Sequence, residues 1–342
     1  MIQVGVIGYG YWGPNLVRNF AETDGYRLRS VCDGRAERTA LAQKRYPGIR
    51  GCMDPQELIA DPSVDLIAVS TPVSTHFPLA MQALQAGKHV LVEKPMAMTT
   101  DECARLIDEA ARRNLVLMVD HTFVYTSAVR KMQELVADGS LGTIYYYDSV
   151  RVNLGLFQHD INVIWDLAVH DLAIMSYVLP VQPVAVSATG ISHLAGGHEN
   201  IAYLTMFFDD KVIAHVHVNW LAPVKVRSTL LGGSRRMIVF DDLEPSEKIK
   251  VYDRGITVSS NPEDVYQMLV GYRSGDMWSP HLDTSEALRV EVSHLLDCIH
   301  HSRQPVTGGQ AGFDVVRILE ASTRSLREHG RPVELAARGA HA

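Results

Sequence analysis

The sequence predicts an α/β protein: an N-terminal Rossmann domain with a doubly wound parallel sheet, then a C-terminal α+β domain with a large open antiparallel sheet. The chain opens with a short apolar run, Val4 to Ile7, which a glycine-rich turn and a helix pattern follow. Apolar strand patterns and helix patterns then alternate as far as about residue 121. Beyond it, longer runs such as Val212 to Trp220 alternate in polarity, which is typical of antiparallel strands.

The opening turn has the glycine spacing of a dinucleotide-binding site, Gly8-Tyr9-Gly10-Tyr11-Trp12-Gly13. Its first glycine permits a tight turn, its second lets a pyrophosphate approach the backbone, and its third lets the helix pack close to the sheet. Pro14 suits the first helical turn, where the N–H groups favour an anion. We therefore expect the turn, including Tyr11 and Trp12, to bind a cofactor. A glycine turn without a ligand is the structural alternative.

Asp33 ends the next strand pattern, twenty positions after Gly13, where a dinucleotide-binding fold places the acid that holds the adenosine ribose. Its carboxylate would accept hydrogen bonds from both ribose hydroxyls and would repel a 2′-phosphate. This favours NAD over NADP. Arg35 and Arg38 are the counter-evidence, because a nearby arginine accommodates that phosphate in NADP-binding proteins.

The length of 342 residues predicts two domains, which we place at residues 1–121 and 122–342. A net charge of -7 gives no support to nucleic-acid binding. No apolar run reaches the roughly 18 residues that span a bilayer, and the early strand leaves no room for a signal peptide. We expect a cytoplasmic protein. The scattered cysteines read as reduced thiols; they are Cys32, Cys52, Cys103 and Cys298.

Polar residues follow the strand patterns at the edge where doubly wound folds bind ligands, the carboxyl ends of the strands. These segments are Ser70-Thr71-Pro72 with His76, Glu93-Lys94-Pro95, and His121 with Tyr125. Lys94 near a nicotinamide could donate a hydrogen bond to a sugar oxygen or exchange a proton with it. A surface lysine at a strand end is the alternative.

A second set of polar residues lies on a helix predicted from about Val163 to Leu179, most of whose surface is apolar. Asp166 and His170 are four positions apart and share one face, which Tyr177 extends. His170 is suited to general base catalysis near neutral pH, and Asp166 could orient the ring or bind a substrate hydroxyl. Because a buried carboxylate and imidazole need partners, a structural pair is the alternative.

A third cluster, His294, Cys298 and His301, has the spacing i, i+4, i+7 on a predicted helix and could in principle ligate zinc. The favoured interpretation is that these residues are ordinary positions on one helix face. His215 and His217, two positions apart on a strand, are interpreted in the same way. No metal is expected.

Together these motifs resemble the Gfo/Idh/MocA oxidoreductases, over nearly the whole chain. The resemblance implies an enzyme that uses NAD or NADP on a ring hydroxyl or ketone of a sugar or inositol. It implies that Lys94 and His170 are the catalytic pair. Substrate-binding residues would be Asp166, Tyr125 and Asn153. The cofactor would contact the glycine turn, Asp33, Thr71, Pro72, His76, Glu93, Lys94 and Pro95. Members are commonly dimers or tetramers built through the open sheet.

The chain also resembles the nucleotide-sugar branch of this family, which includes enzymes similar to UDP-N-acetylglucosamine 3-dehydrogenase. The shared segments are Gly10 to Asn15, Asn162 to Leu167, Asp241 to Pro245 and Tyr252 to Gly255. Two positions depart from the family. Ala168 stands where many members have glycine, and Thr126-Ser127 replaces an Asn-Pro or Asp-Pro pair. Both changes touch the substrate side.

We therefore expect hydride transfer at a secondary carbinol of a sugar or nucleotide sugar, at C3 of a pyranose. The alternatives are an NAD-dependent glycosidase of the same fold, an inositol or free-sugar dehydrogenase, and a non-catalytic NAD-responsive regulator, since fold does not dictate function. The sequence leaves open the sugar and its carrier, the direction in the cell, the oligomer size and whether NAD stays bound and is recycled.

Overall fold

The computed structural model describes residues 1–155, 161–194, 197–258 and 270–335. These residues form two compact units, 1–126 with 285–320, and 127–284 with 321–335. The grouping differs from the predicted domains, 1–121 and 122–342, by placing Ser285–Glu320 with the N-terminal residues. The predicted domain boundary at residue 121 stays a prediction.

The N-terminal unit is built on a parallel sheet whose six strands lie in the order β3-β2-β1-β4-β5-β6, within residues that are all described. This order is that of a Rossmann fold and confirms the predicted fold class. The strands are β1 (Ile2–Ile7), β2 (Tyr26–Cys32), β3 (Arg50–Cys52), β4 (Leu66–Val69), β5 (His89–Glu93) and β6 (Leu117–Asp120). The helices are α1 (Gly13–Glu22), α2 (Ala36–Arg45), α3 (Pro55–Ile59), α4 (His76–Gln85) and α5 (Thr100–Arg113).

Local sequence signals account for these elements. All four side chains of β4 are fully buried, as expected for a parallel strand covered on both faces. Thr99 caps α5, because its hydroxyl accepts a hydrogen bond from the backbone N–H of Glu102 at 3.2 Å. Two short 3₁₀ turns, Val73–Thr75 and Thr122–Tyr125, follow β4 and β6. The carboxyl ends of the strands therefore carry the polar segments that the sequence singled out.

The second unit is built on a large sheet with nine strands among the described residues, in the order β16-β13-β12-β11-β7-β10-β9-β8-β17. Strands β7 and β10 pair in parallel, so the large sheet, predicted to be antiparallel, is mixed at this pair. A parallel pair needs a long crossover connection, and the described residues between these two strands form a π-helical turn, an α-helix and two strands. Polarity alternation predicts strands but does not reveal which strands pair.

The elements of this unit have the following bounds. The strands are β7 (Ile144–Leu154), β8 (Ala185–Ile191), β9 (Ile201–Phe207), β10 (Ile213–Asn219), β11 (Leu221–Gly233), β12 (Met237–Asp241), β13 (Ile249–Tyr252), β14 (Gly255–Val258), β15 (Val270–Arg273), β16 (Met277–Trp278) and β17 (Val333–Glu334). The helices are α6 (Ser127–Ala137), a π-helical turn (Ile164–Ala168) and α7 (Val169–Val178). Helix α8 (Ala287–His301) belongs to the N-terminal unit, and α9 (Gly309–Arg327) crosses the boundary between the units.

The two faces of β10 differ as the sequence predicts. Ala214, Val216 and Val218 are fully buried, whereas His215 and His217 are half-buried. Within the described part of the chain, no helix combines the length and apolarity that crossing a membrane requires.

Candidate active site

The glycine turn after β1 has the geometry of a cradle for an anion. Gly8 has a φ of +100°, and a Cβ at this position would lie 2.0 Å from the carbonyl oxygen of Ser70. A Cβ on Gly13 would lie 2.1 Å from the carbonyl oxygen of Gly8, so α1 approaches the turn closely. A Cβ on Gly10 would meet no protein atom within 4 Å. The protein itself thus demands glycine at the first and third positions, while the space at the second fits a pyrophosphate.

Asp33 lies beside this turn at the end of β2. Its carboxylate accepts hydrogen bonds from the backbone N–H of Tyr9 at 2.9 Å and from the N–H of Arg35 at 3.0 Å. Arg35 also forms an ion pair with it at 3.2 Å. Burial raises the pKa of Asp33, but these hydrogen bonds and the Arg35 charge outweigh it and hold the pKa below its usual value. The carboxylate is therefore ionised and available to ribose hydroxyls.

Trp12 connects the glycine turn to the far edge of the same sheet. Its indole N–H donates to the carboxylate of Asp120, the last residue of β6, at 2.6 Å. The hydroxyl of Thr122 donates to the other oxygen of that carboxylate. By contrast, the Tyr11 side chain is 91% exposed. Sequence analysis missed Asp120, although its position at the carboxyl end of a strand was the signal that could have found it.

His76 joins the ends of β4 and β5. One ring nitrogen lies 2.8 Å from the carbonyl oxygen of Pro95 and the other 2.8 Å from that of Thr71. Burial lowers the pKa of His76 more than the two carbonyls raise it, and the charge of Lys94 lowers it further. A neutral ring donates to one of these carbonyls at a time. His76 therefore positions both predicted nicotinamide-site segments through their backbone.

Lys94 follows the last residue of β5, and the Lys94–Pro95 peptide bond is cis. The backbone N–H of Lys94 donates to the Glu93 carboxylate at 2.8 Å. Burial and the charge of Asp120 raise the pKa of Glu93 well above its usual value, against the smaller opposing effect of Lys94. Lys94 thus lies among acidic groups at the edge where the fold binds its ligand.

His121 follows Asp120 and is 2% exposed. Within the residues that the structure describes, neither of its ring nitrogens has a hydrogen-bond partner. Burial, with a smaller effect of the Lys94 charge, lowers the pKa of His121 to about 3. The ring is therefore neutral at physiological pH.

Tyr125 is buried in the N-terminal unit, and its hydroxyl lies 3.1 Å from the hydroxyl of Thr307. Thr307 in turn donates to the carbonyl of Val119 at 2.8 Å. These contacts connect the residues after β6 to the segment before α9. They assign Tyr125 a structural contact, and its predicted substrate contact stays a prediction.

Asp166 lies on the π-helical turn in the second unit, within the helix that the sequence predicts from about Val163 to Leu179. Asn162 begins this turn, because its side-chain oxygen accepts hydrogen bonds from the backbone N–H groups of Ile164 and Trp165 at 3.1 and 3.2 Å. The carboxylate of Asp166 accepts from the indole N–H of Trp220 at 3.0 Å. Such π turns occur frequently at functional sites.

A buried ion pair anchors the helix that carries His170. Arg151 on β7 contacts the carboxylate of Asp171 at 2.7 Å, and both side chains are 3% exposed. Ser149 also donates to this carboxylate, at 2.6 Å. Sequence analysis missed the pair because nothing in the local pattern indicates that β7 packs against Asp171. The contacts of Asp171 with Arg151 and Ser149 therefore hold in place the helical turn that carries His170.

The predicted site residues divide between the two units. The N-terminal unit brings together the glycine turn, Asp33, the Thr71-Pro72 segment with His76, and the Glu93-Lys94-Pro95 segment. The second unit carries Asp166 and His170 on consecutive turns, and Asn153 half-buried on β7. The catalytic pairing of Lys94 with His170 stays a prediction.

The histidines and the cysteine that could in principle ligate zinc make other contacts. The backbone N–H of Val306 donates to His294 at 3.1 Å, and the Cys298 thiol lies 3.5 Å from the same ring nitrogen. His301 pairs with Asp297 at 2.9 Å. Across the described ranges, no group of three or more His, Cys, Asp or Glu side chains could hold a metal ion.

Comparison with known proteins gives two family matches. Residues 2–121 match the oxidoreductase family with an NAD-binding Rossmann fold, and residues 129–239 match the Gfo/Idh/MocA C-terminal domain. The chain is also similar to the uncharacterized oxidoreductase YdgJ of Escherichia coli K12. The two are 31% identical over 265 residues, which is 72% of this chain and 73% of the relative.

A second relative is the UDP-N-acetylglucosamine 3-dehydrogenase of Acidithiobacillus ferrooxidans. It is 28% identical over 324 residues, which covers 92% of this chain and 94% of the relative. A solved structure of that organism's UDP-N-acetylglucosamine 3-dehydrogenase GnnA superimposes with a TM-score of 0.81 at 27% identity, covering 96% of this chain and 98% of that one.

Proposed function

Because the chain belongs to the Gfo/Idh/MocA family of NAD-binding oxidoreductases, we propose that it transfers hydride between NAD and a secondary hydroxyl or ketone at C3 of a nucleotide sugar. The family matches confirm the resemblance and the fold class that the sequence predicts, and NAD as the cofactor. Similarity to a UDP-N-acetylglucosamine 3-dehydrogenase over 92% of the chain supports the finer assignment to C3 and to a nucleotide carrier. The position of Lys94 at the ligand-binding edge of the sheet carries the chemical part of the proposal.

The residues present fit an NAD molecule. The open space at Gly10 accommodates the pyrophosphate. The ionised Asp33 would hold the adenosine ribose and repel a 2′-phosphate. Glu93, Lys94 and Pro95 would line the nicotinamide end. NAD⁺, when bound, supplies the hydride acceptor.

Side chains of the protein would accept the substrate proton and stabilise charge on the substrate oxygen. His170 or Lys94 takes the proton of the reacting hydroxyl, a role that typically contributes a rate factor of about 10² to 10⁴. The Lys94 ammonium stabilises charge on the substrate oxygen, and such stabilisation is strong where water is excluded. Asp166, held by Trp220, accepts a hydrogen bond from a neighbouring sugar hydroxyl. The neutral His121 adds no charge that would oppose Lys94.

The test is a substrate panel. The enzyme is incubated with NAD⁺ and UDP-sugars, free sugars or inositols, and the absorbance of the reduced cofactor is followed. Product NMR then locates the new ketone. We expect turnover of a UDP-sugar with the ketone at C3. Turnover confined to inositols or unlinked sugars would contradict the nucleotide-sugar assignment.

Two further outcomes would replace the proposal altogether. Release of aglycone from an aryl glycoside without net NADH would identify an NAD-dependent glycosidase. NAD binding by calorimetry without turnover of any panel member would identify a regulator.

We also infer that the chain works as a homodimer or homotetramer in the cytoplasm. The sheet face that carries His215 and His217 also carries exposed apolar side chains, among them Tyr203, Phe207 and Ile213, which are 37% to 49% exposed. Light scattering coupled to size-exclusion chromatography tests the assembly. A monomer at all concentrations would contradict it.

A further inference from the structure

Three carboxyl groups lie close together at the edge of the N-terminal sheet, where α8 packs against the 3₁₀ turn that follows Asp120. Glu93 and Asp120 are the last residues of β5 and β6 and are direct partners in the strand register. Partners on adjacent parallel strands project to the same face of the sheet. The third group is Glu291 on α8, which is completely buried. The proposed function assigns no role to Glu291.

Glu291 has an unusual environment for an acid. In the part of the chain that the structure describes, neither of its carboxyl oxygens has a hydrogen-bond partner. Two ionised carboxylates have no donor between them, whereas a protonated carboxyl donates through its O–H. Burial and the adjacent charge of Asp120 raise the pKa of Glu291 well above its usual value, the charge of Glu93 adds to this, and Thr122 acts weakly in the opposite direction.

Asp120 is the member of the cluster that is built to carry the negative charge. It accepts hydrogen bonds from the indole of Trp12 and from the hydroxyl of Thr122. Hydrogen bonds to an ionised acceptor are roughly twice as strong as those between neutral groups. The proton of the Asp120 and Glu291 pair is therefore best placed on Glu291.

Apart from Lys94, the titratable groups that the structure describes around Glu291 supply no positive charge that would compensate its ionisation. His121 is neutral because burial lowers its pKa to about 3. Burial, aided by the proximity of Glu291, raises the pKa of Tyr125, which keeps its proton. On α8 itself, His294 accepts from the backbone of Val306, and burial raises the pKa of the Cys298 thiol. Lys94 is the cation of the cluster, and it lies beside Glu93.

We propose that Glu291 is a positioning residue whose carboxyl group stays protonated at neutral pH and donates a hydrogen bond to Asp120 through its O–H. Loss of this proton would disturb both the glycine turn, through Trp12, and the Glu93–Lys94 segment. The part that concerns Lys94 rests on the proposed function, and the part that concerns the turn rests only on NAD binding. Ionisation of Glu291 would place two buried carboxylates against each other. Asp120 would then move away from Trp12 or from Glu93.

The experiment compares E291Q, E291M and wild type. Glutamine keeps a donor for Asp120 but cannot ionise, and methionine has a similar length but offers no donor. The matched control is E286Q, because Glu286 begins the same helix but is exposed and pairs with Arg18 at 2.5 Å. The first readout is the infrared carbonyl band of a protonated carboxyl at pH 7. The second is the pH dependence of the NAD⁺ dissociation constant, and the third is the pH profile of kcat/KM on the sugar that the panel identifies.

We expect the carboxylic-acid band of wild type to be reduced in E291Q and E291M and to persist in E286Q. The affinity for NAD⁺ should weaken at alkaline pH in wild type, and this weakening should move to higher pH or vanish in E291Q. E291M should lose about tenfold or more in NAD⁺ affinity or kcat/KM at pH 7, because hydrogen bonds to charged groups are worth about 1.5–3 kcal/mol. E291Q should lose less than E291M.

An unchanged acid band in E291Q, or pH profiles of wild type and E291Q that superimpose, would overturn the proposal. If E291M does not fold, the comparison of E291Q with wild type still tests both the acid band and the pH profiles. The infrared and NAD⁺ readouts need no sugar. Failure of the substrate panel would therefore count against the proposed function and leave the test of Glu291 intact.

Discussion

The indole nitrogen of Trp12 lies 2.6 Å from the carboxylate of Asp120, and this hydrogen bond joins residues 108 positions apart in the chain. It connects the glycine turn that would hold the pyrophosphate with the strand end next to Glu93 and Lys94. The hydrogen bond thus links the glycine turn to the carboxylate whose charge helps to raise the pKa of Glu93, next to Lys94. The first prediction follows from this contact.

Replacing Trp12 by phenylalanine removes one donor from the buried Asp120. We expect W12F to weaken NAD⁺ binding by about tenfold, since a hydrogen bond to a charged group contributes about 1.5–3 kcal/mol. Calorimetric titration measures the affinity. W278F is the matched control, because its indole belongs to the second unit and lies under the Arg236 guanidinium, 5.1 Å from the ring centroid. Equal NAD⁺ affinity of W12F and W278F would contradict the assigned role.

Asp33 should set the choice between the two nicotinamide cofactors. We expect D33N to weaken NAD⁺ binding by about tenfold or more, because the ribose loses a charged acceptor, and to raise the NADP⁺ to NAD⁺ preference as Arg35 is released from its ion pair. Dissociation constants for both cofactors measure the effect. E37Q, which removes a carboxylate from the first turn of α2, is the control. A D33N protein with unchanged preference would show that other groups select the cofactor.

Lys94 should matter for turnover far more than for cofactor binding. We expect K94M to lower kcat by about 10² to 10⁴, the usual contribution of a positioned proton donor or acceptor, while the NAD⁺ dissociation constant changes little. Steady-state kinetics and calorimetry separate the two effects. K44M removes an exposed lysine of α2 and is the control. Equal turnover of K94M and wild type would remove Lys94 from the mechanism.

The burial of Glu291 should also affect how the stability of the folded protein depends on pH, which can be measured without a substrate. Its pKa in the folded protein is raised above the ordinary value of 4.5, so the folded state binds more protons than the unfolded state above that pH. Its contribution to stability is then fully present below the unfolded pKa and is lost as the pH rises towards the folded pKa. The E291Q protein has no carboxyl group at this position, so its stability does not decrease in this way as the pH rises. We expect the melting temperature of E291Q to gain on that of wild type between pH 5 and pH 8, and parallel curves would contradict this.

The buried pair of Arg151 and Asp171 should dominate the stability of the second unit's central packing. Breaking such a pair by removing one partner costs about 3–5 kcal/mol, because the other charge is left uncompensated. We expect D171N to show this loss in denaturant unfolding. E57Q, which breaks the exposed Arg50–Glu57 pair, should show no measurable loss. Substituting both Arg151 and Asp171 by apolar residues should recover much of the stability, and failure to do so would indicate a role beyond charge pairing.

The sequence predicts those parts of the fold that are encoded locally. The spacing of Gly8, Gly10 and Gly13 between a strand and a helix specifies the glycine turn, because a Cβ at Gly8 or Gly13 would collide with a backbone carbonyl oxygen. Thr99 with Glu102 likewise specifies the start of α5. Both signals act over a few residues and need no knowledge of strand pairing.

Contacts between distant segments could not be predicted in this way. The parallel pairing of β7 with β10, the Trp12 contact with Asp120 and the burial of Glu291 all depend on how elements pack. A lone Glu on an amphipathic helix looks like a solvated residue in the sequence. Its complete burial in the folded structure distinguishes Glu291 from the exposed Glu286, the N-cap of the same helix.

We propose that Lys94 and His170 assist hydride transfer from a sugar carbon to NAD⁺. UDP-N-acetylglucosamine carrying deuterium at C3 tests it most directly, with the reduced cofactor analysed by mass spectrometry. We expect one deuterium in the reduced cofactor from wild type, and we expect K94M and H170A to slow this transfer by a factor of about 10² or more. A reduced cofactor without deuterium, or transfer in K94M at the wild-type rate, would contradict it.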